Sequence, residues 1–213
     1  PVLSYQTQPL VQGHFLLIFA KIRYICSLLE YNIPKRKQED KPMAKKTRNK
    51  KYKGIDLFCG IGGFRLAMED NKVECVFSSD IDSFAQQTYQ ANFGEIPTGD
   101  ITKVEAKDIP SFDILTAGFP CQPFSYAGEK KGFEDTTRGT LFFDICRILK
   151  HHKPAMLFLE NVKGLVSHKE GSTLKTIEDN LRKLGYYPHW KVLSSLDYGL
   201  PQKRERWYCV AFR

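Results

Sequence analysis

Ile55-Asp56-Leu57-Phe58-Cys59-Gly60-Ile61-Gly62-Gly63-Phe64-Arg65-Leu66-Ala67-Met68 is the stretch on which the fold of this chain turns. Ile55–Cys59 is a short apolar run that reads as a buried strand, and Phe64–Met68 reads as the helix after it. The glycines between them allow a tight turn, let a ligand approach the backbone closely, and aim the helix N-terminus at that ligand. The spacing is G-x-G-G rather than G-x-G-x-x-G, so the dinucleotide fingerprint is only half met.

Outward from this unit the same alternation repeats. Val73–Phe77 reads as a second strand and residues 83–91 as the helix behind it. Phe112-Asp113-Ile114-Leu115-Thr116-Ala117 is a buried strand, and Leu141, Phe142, Ile145, Ile148 and Leu149 recur at helical spacing. Ala155–Leu159 is another strand and Thr173–Leu184 another helix, and His189–Leu193 and Trp207–Phe212 close the series. Strands alternating with helices predict an α/β domain with a doubly wound, mostly parallel sheet covered on both faces.

Such sheets bind ligands in the crevice outside the carboxyl ends of their strands, and the chemistry-bearing residues fall there. Asp80 and Asp82 end the second strand about twenty residues past the glycines, where an acid binds ribose hydroxyls. Asp100, in Gly99-Asp100-Ile101, lies near an expected third strand end. Together these describe a site for a nucleoside-bearing cofactor, or else a glycine turn with surface acids. Gly118 and Pro120 end the Phe112 strand and leave Cys121 at its tip, as a nucleophile if neighbours lower its pKa or as a small buried hydrophobe if they do not. Glu160 follows the Ala155–Leu159 strand, where a carboxyl can donate a proton if burial raises its pKa, or simply cap a loop. Gln202, Arg204 and Arg206 alternate ahead of the last strand and share one side if extended, forming a donor-rich face for phosphate or base, or a solvated strand start.

Composition narrows the class. The formal charge of +8 is concentrated in residues 34–53, which carry ten Lys/Arg against two acids, so the folded body is close to neutral. A basic arm of this kind either contacts phosphates or serves as a solvated linker. The six cysteines form no C-x-x-C pair and no metal-ligand spacing, which argues against zinc. Cys59, Cys75, Cys146 and Cys209 have apolar neighbours and read as core. No secretory signal is evident, which fits a reducing cytoplasm. The apolar run Phe15–Ala20 is too short for a membrane helix, and Lys21 and Arg23 interrupt the apolar residues beyond it. Residues 1–52 therefore read as an extension with a basic linker, or as upstream sequence ahead of Met43, and residues 53–213 as the domain.

In this order the motifs closely resemble the DNA cytosine-5 methyltransferases, above all the compact bacterial enzymes of restriction–modification systems. The resemblance rests on the Asp56–Gly63 loop, Pro120-Cys121-Gln122, Arg138-Gly139-Thr140-Leu141-Phe142, Glu160-Asn161-Val162 and Gln202-x-Arg204-x-Arg206, and runs from about residue 53 onward. It implies a Rossmann-like fold, S-adenosyl-L-methionine as methyl donor and double-stranded DNA as substrate. It makes Cys121 the nucleophile that adds to cytosine C6, Glu160 the group at N3 and the exocyclic amine, and Arg204 or Arg206 the holder of the cytosine O2. Phe119 would offer its carbonyl to the base, and Gln122, Ser125 and Gln202 would face DNA. Phe58 would stack near the adenine, Gly60 and Gly62 would admit the methionine part, Asp80 would take the ribose and Asp100 the adenine amine. Ile81, Ile101, Pro120 and Leu141 would supply apolar walls, with Ile81 where the bacterial enzymes often carry Trp. The family continues into a target-recognition domain and a final glycine/asparagine motif, neither of which is present here. The expectation is thus a catalytic part, incomplete at its C-terminus, that is truncated or complemented by a second chain. The alternatives are a non-catalytic remnant or subunit with intact motifs but no independent activity, then the tRNA-methylating branch and, more distantly, an NAD-dependent oxidoreductase.

Overall fold

The computed structural model describes residues 52–120 and 141–213. Six strands form one sheet: β1 (Lys53–Leu57), β2 (Glu74–Ser79), β3 (Ile114–Gly118), β4 (Met156–Val162), β5 (Tyr187–Ser194) and β6 (Glu205–Phe212). Their spatial order is β2-β1-β3-β4-β6-β5. The first four are mutually parallel, whereas β6 runs antiparallel to both β4 and β5. Helices α1 (Gly63–Asp70), α2 (Ser83–Phe93), α3 (Leu141–His152) and α4 (Ser172–Lys183) lie where the sequence pattern puts them, within a few residues.

The period-2 alternation of the strands sorts the core into two layers. Ile55, Leu57, Leu115, Ala117, Leu157, Leu159, Cys209 and Ala211 share one face, and pack with Phe142, Ile145 and Leu149 of α3 and Leu174, Ile177 and Leu181 of α4. On the opposite face Phe158 and Val210 meet Phe64 and Ala67 of α1, with the Phe64 and Phe158 rings edge to face at 5.2 Å. Trp207 and Ile55 are fully buried, and burial of such a side chain contributes roughly 1.5–3 kcal/mol.

Two boundaries differ from the sequence reading. The third strand expected near Asp100 is reduced to a single bridge, Ser79 to Thr98. Pro97 beside it has no N–H to extend a ladder. In the other direction, β4 continues past Leu159 to Val162, because β6 pairs with it along its whole length. Glu160 therefore stands inside a strand rather than after one.

Candidate active site

The parallel strands β1 to β4 deliver their carboxyl ends to one edge of the sheet, and the antiparallel β6 brings its first residues to the same edge. Beyond β1, Phe58 adopts a φ of 55°, a left-handed conformation unusual for a side chain of this size. The turn continues through Gly60 (φ 54°) and Gly62 (φ 97°) into α1. The two glycines do different work. A Cβ on Gly60 would meet nothing within 4 Å, so that side of the loop is open to a ligand. A Cβ on Gly62 would lie 2.1 Å from the Phe93 ring, so this glycine lets α2 pack against the start of α1. The resemblance assigns both to the cofactor; Gly60 borders open space, while Gly62 has a packing role against Phe93.

Asp80, just past β2, accepts a hydrogen bond from the Gly60 amide at 2.7 Å and another from the Asp82 amide at 2.9 Å. This ties the carboxylate to the glycine loop across two strand ends. Its neighbour Asp82 caps α2, accepting from the amides of Phe84 and Ala85. Ile81 and Ile61 flank the loop and are exposed, as is Phe84. Asp100 caps the short turn Ile101–Lys103, accepting from the Thr102 amide at 3.0 Å and hydroxyl at 2.8 Å. Those bonds hold its carboxyl below the usual carboxylate range. Ile101 is buried beneath it, and Leu141 at the head of α3 packs on the same core. The open loop at Gly60, the Asp80 carboxylate past β2, the Asp100 carboxylate past the Thr98 bridge and these apolar residues offer the acceptors and walls that a nucleoside-bearing cofactor needs.

The second half of the site lies across β3, β4 and β6. Glu160 stands opposite Gly118, the last residue of β3, in the ladder. Its Oε1 accepts from Arg206 Nε at 3.0 Å. Burial pushes the Glu160 carboxyl up, while the charges of Arg206 and then Arg204 pull it back; the net direction is upward. Asn161 is 2% exposed and donates through Nδ2 to the Phe119 carbonyl at 2.9 Å, while its Oδ1 accepts from the Val162 amide at 2.8 Å. Phe119 is buried against Phe142, ring centroids 5.8 Å apart, and Pro120 follows at the surface. The backbone leading into Cys121 is thus anchored from β4; Cys121, Gln122 and Ser125 themselves lie outside the described residues.

Gln202 and Arg204 are exposed in the turn before β6. The Ser195 hydroxyl closes that turn by donating to the Gln202 carbonyl and accepting from the Arg204 amide. Asp56 enters the sequence pattern only as the start of the loop motif, but it is fully buried on the α1 face. Its Oδ1 accepts from the Thr116 hydroxyl at 2.8 Å, and its Oδ2 has no hydrogen-bond partner among the described residues. Burial pushes its carboxyl up to about 7. Asn161 and Asp56 stand within the quoted motifs, but the sequence shows neither their burial nor their hydrogen-bond partners.

Cys59, Cys146 and Cys209 are buried, Cys75 is partly so, and all four are free thiols. Burial raises the pKa of each, so each stays protonated and unreactive. Among the described residues no cluster suited to a metal ion occurs, and no helix is long and apolar enough to cross a membrane.

This sheet order, with its crevice at the strand ends, defines a Rossmann-like α/β domain of the methyltransferase kind. The chain belongs to the C-5 cytosine-specific DNA methylase family, whose model matches residues 52–213. It is 57% identical over 159 residues to the Type II methyltransferase M.HhaI of Haemophilus parahaemolyticus, covering 75% of this chain and 48% of that protein. It is 59% identical over 163 residues to M.HaeII of Haemophilus aegyptius, covering 76% and 51%. Among solved structures it is similar to the Dnmt2 methyltransferase of S. pombe, with a TM-score of 0.61 and 29% identity over 76% of this chain and 50% of that one. The chain spans about half the length of the curated relatives it matches.

Proposed function

We propose that this chain carries the catalytic half of a restriction–modification DNA methyltransferase that uses S-adenosyl-L-methionine to methylate cytosine at C5. The observation that carries the reading is the Glu160–Arg206 pair, set in the sheet beside the anchored Gly118–Phe119 backbone that leads directly into Cys121. C5 of cytosine is a weak nucleophile, and its ring is sealed inside a duplex, so the base must be flipped into the crevice. There the Cys121 thiolate adds to C6, forming an S–C6 bond and breaking the C5–C6 π bond. The displaced electrons pass to C5 and toward N3. Glu160, its pKa raised by burial, is suited to hold a proton at N3 and to accept from the exocyclic amine. Arg206, and Arg204 beside it, offer donors to the cytosine O2, and their positive charge favours the thiolate. S-adenosylmethionine supplies the electrophilic methyl group that C5 takes up. Loss of the C5 proton to a base then restores the C5–C6 double bond and expels Cys121.

On the cofactor side, Gly60 leaves room for the methionine part and Asp80 offers its carboxylate to the ribose. Asp100 and Ile101 face the adenine end, with Phe58, Ile81, Pro120 and Leu141 as walls. The second acceptor site of the Phe119 carbonyl, beyond the one used by Asn161, remains for the base. Gln122, Ser125 and Gln202 are assigned to the DNA side.

The test is a covalent trap. Duplex DNA containing 5-fluorocytosine, incubated with the chain and S-adenosylmethionine, should give a protein–DNA adduct that denaturing electrophoresis resolves, and Cys121→Ala should give none. Because the chain covers half of its relatives' length, a second reading is a subunit that attacks cytosine only when a C-terminal half is supplied; an adduct seen only after that addition selects it. No adduct in either arm sinks the proposal. Glu160→Gln, which keeps the shape and removes the proton, should slow methyl transfer about 10²–10⁴-fold while leaving S-adenosylhomocysteine affinity unchanged.

A further inference from the structure

The Asp100–Ile101 turn is the least supported part of the cofactor crevice by regular structure. A single bridge at Thr98 joins it to the sheet, and the segment after it is two short 3₁₀ turns, Ile101–Lys103 and Ala106–Asp108. A side chain on α3 makes up the deficit. The Arg147 guanidinium donates from Nη2 to the Ile101 carbonyl at 3.0 Å and from Nη1 to the Val104 carbonyl at 2.8 Å. It is itself oriented by Asp144, whose Oδ1 accepts from both Nε and Nη2 at 3.2 Å. Five residues on, His152 Nε2 donates to the Ala106 carbonyl at 2.7 Å. The same helix begins at Leu141, one of the cofactor walls.

We propose that Arg147 is a positioning residue: it clamps the Asp100–Ile101 turn to α3 in the shape that receives the nucleoside end of the cofactor. The inference rests on the cofactor reading above. Two physical points carry it. The planar fork of arginine spans two carbonyls of one turn while a third edge is held by a carboxylate, which a lysine ammonium cannot reproduce. Arg147 also pairs with Asp144, a carboxylate at which the charge of Asp100 is felt.

The full chain, Arg147→Lys and Arg147→Met are compared by amide hydrogen exchange and by calorimetric titration with S-adenosylhomocysteine. The Lys103 and Val104 amides, which close the turn onto the Asp100 and Ile101 carbonyls, should exchange at least tenfold faster in both variants, with β1, β3 and β4 unchanged. S-adenosylhomocysteine affinity should fall about tenfold in Arg147→Lys, the scale of about one hydrogen bond to a charged group, and further in Arg147→Met. Normal exchange and affinity in Arg147→Lys overturn the clamp. Faster exchange spread through the sheet also overturns it, since that marks a general structural role. A wild-type chain that binds no S-adenosylhomocysteine overturns the cofactor reading itself, and the receiving role with it.

Discussion

Gly62→Ala should destabilise the protein by about 2–5 kcal/mol, in a chemical denaturation curve whose midpoint falls while its slope is kept. Two effects add. The residue sits at φ 97°, where an L side chain is strained by about 1–2 kcal/mol. Its new Cβ would also lie 2.1 Å from Phe93 Cε2 and 2.6 Å from Cζ, and overpacking of this kind costs about 1–3 kcal/mol. Phe93 is only partly buried, but it can yield only by giving up its ring contacts. Its ring packs on Tyr89 at 4.6 Å, and the Arg65 guanidinium, held by Glu69 and Glu95, lies 5.4 Å above it. A double-mutant cycle isolates the clash: in a Phe93→Ala background the same substitution should retain only the backbone strain. If its cost is undiminished there, the contact is irrelevant. Gly60→Ala is the control, since its Cβ meets nothing and only the strain at φ 54° remains.

The second large effect is a pH dependence traceable to one carboxyl. Asp56 has a pKa of about 7 when folded against 3.8 as an unperturbed side chain, chiefly because burial penalises its anion. The Thr116 hydrogen bond and the charge of Arg65 oppose this, and Asp80 adds to it. The neighbouring Cys59 and Cys75 thiols are themselves pushed up and stay neutral. The folded state therefore binds the proton more tightly than the unfolded chain. Its contribution is complete below the ordinary carboxylate pKa, declines as pH rises through 7, and is gone above that. The amplitude is on the order of 4 kcal/mol. Asp56→Asn keeps an acceptor for Thr116 and removes the titration, so the variant should gain stability relative to the parent between pH 5 and pH 8. A constant difference across that range would show that Asp56 titrates normally.

How much of the molecule is legible in its sequence depends on what kind of information each feature needs. Apolar runs and helical spacing depend only on neighbours along the chain, so they place each strand and helix of the sheet to within a few residues. Near Asp100 the same reasoning expects too much strand, because the turn residues Pro97 and Gly99 flank the one residue that pairs. The apolar run also ends before Glu160, because the strand that extends β4, β6, is more than forty residues away in sequence. Gly62 shows the limit most clearly: a sequence shows that a side chain is missing, but not which way it would have pointed. Arg147 in sequence is one more cation on an amphipathic helix, and only its two carbonyl partners distinguish it. The assignment of Cys121 rests on its motif, and the structure describes only the anchored backbone up to Pro120.

The reversed strand β6 governs how the site tolerates change. Glu160 pairs with Tyr208 and Arg206 with Val162, so the two charged residues stand two ladder positions apart on one face of neighbouring strands. Their meeting is a matter of register rather than of loop conformation. A slip of one residue in β6 would carry Arg206 through to the opposite face and abolish the pair. The connection from Ser195 to Arg204 can therefore drift in length among descendants without disturbing the guanidinium, whereas a single insertion between Arg206 and Phe212 would break it. Such a ladder works as an indexing device, separating the part of the sequence free to vary from the part that is not.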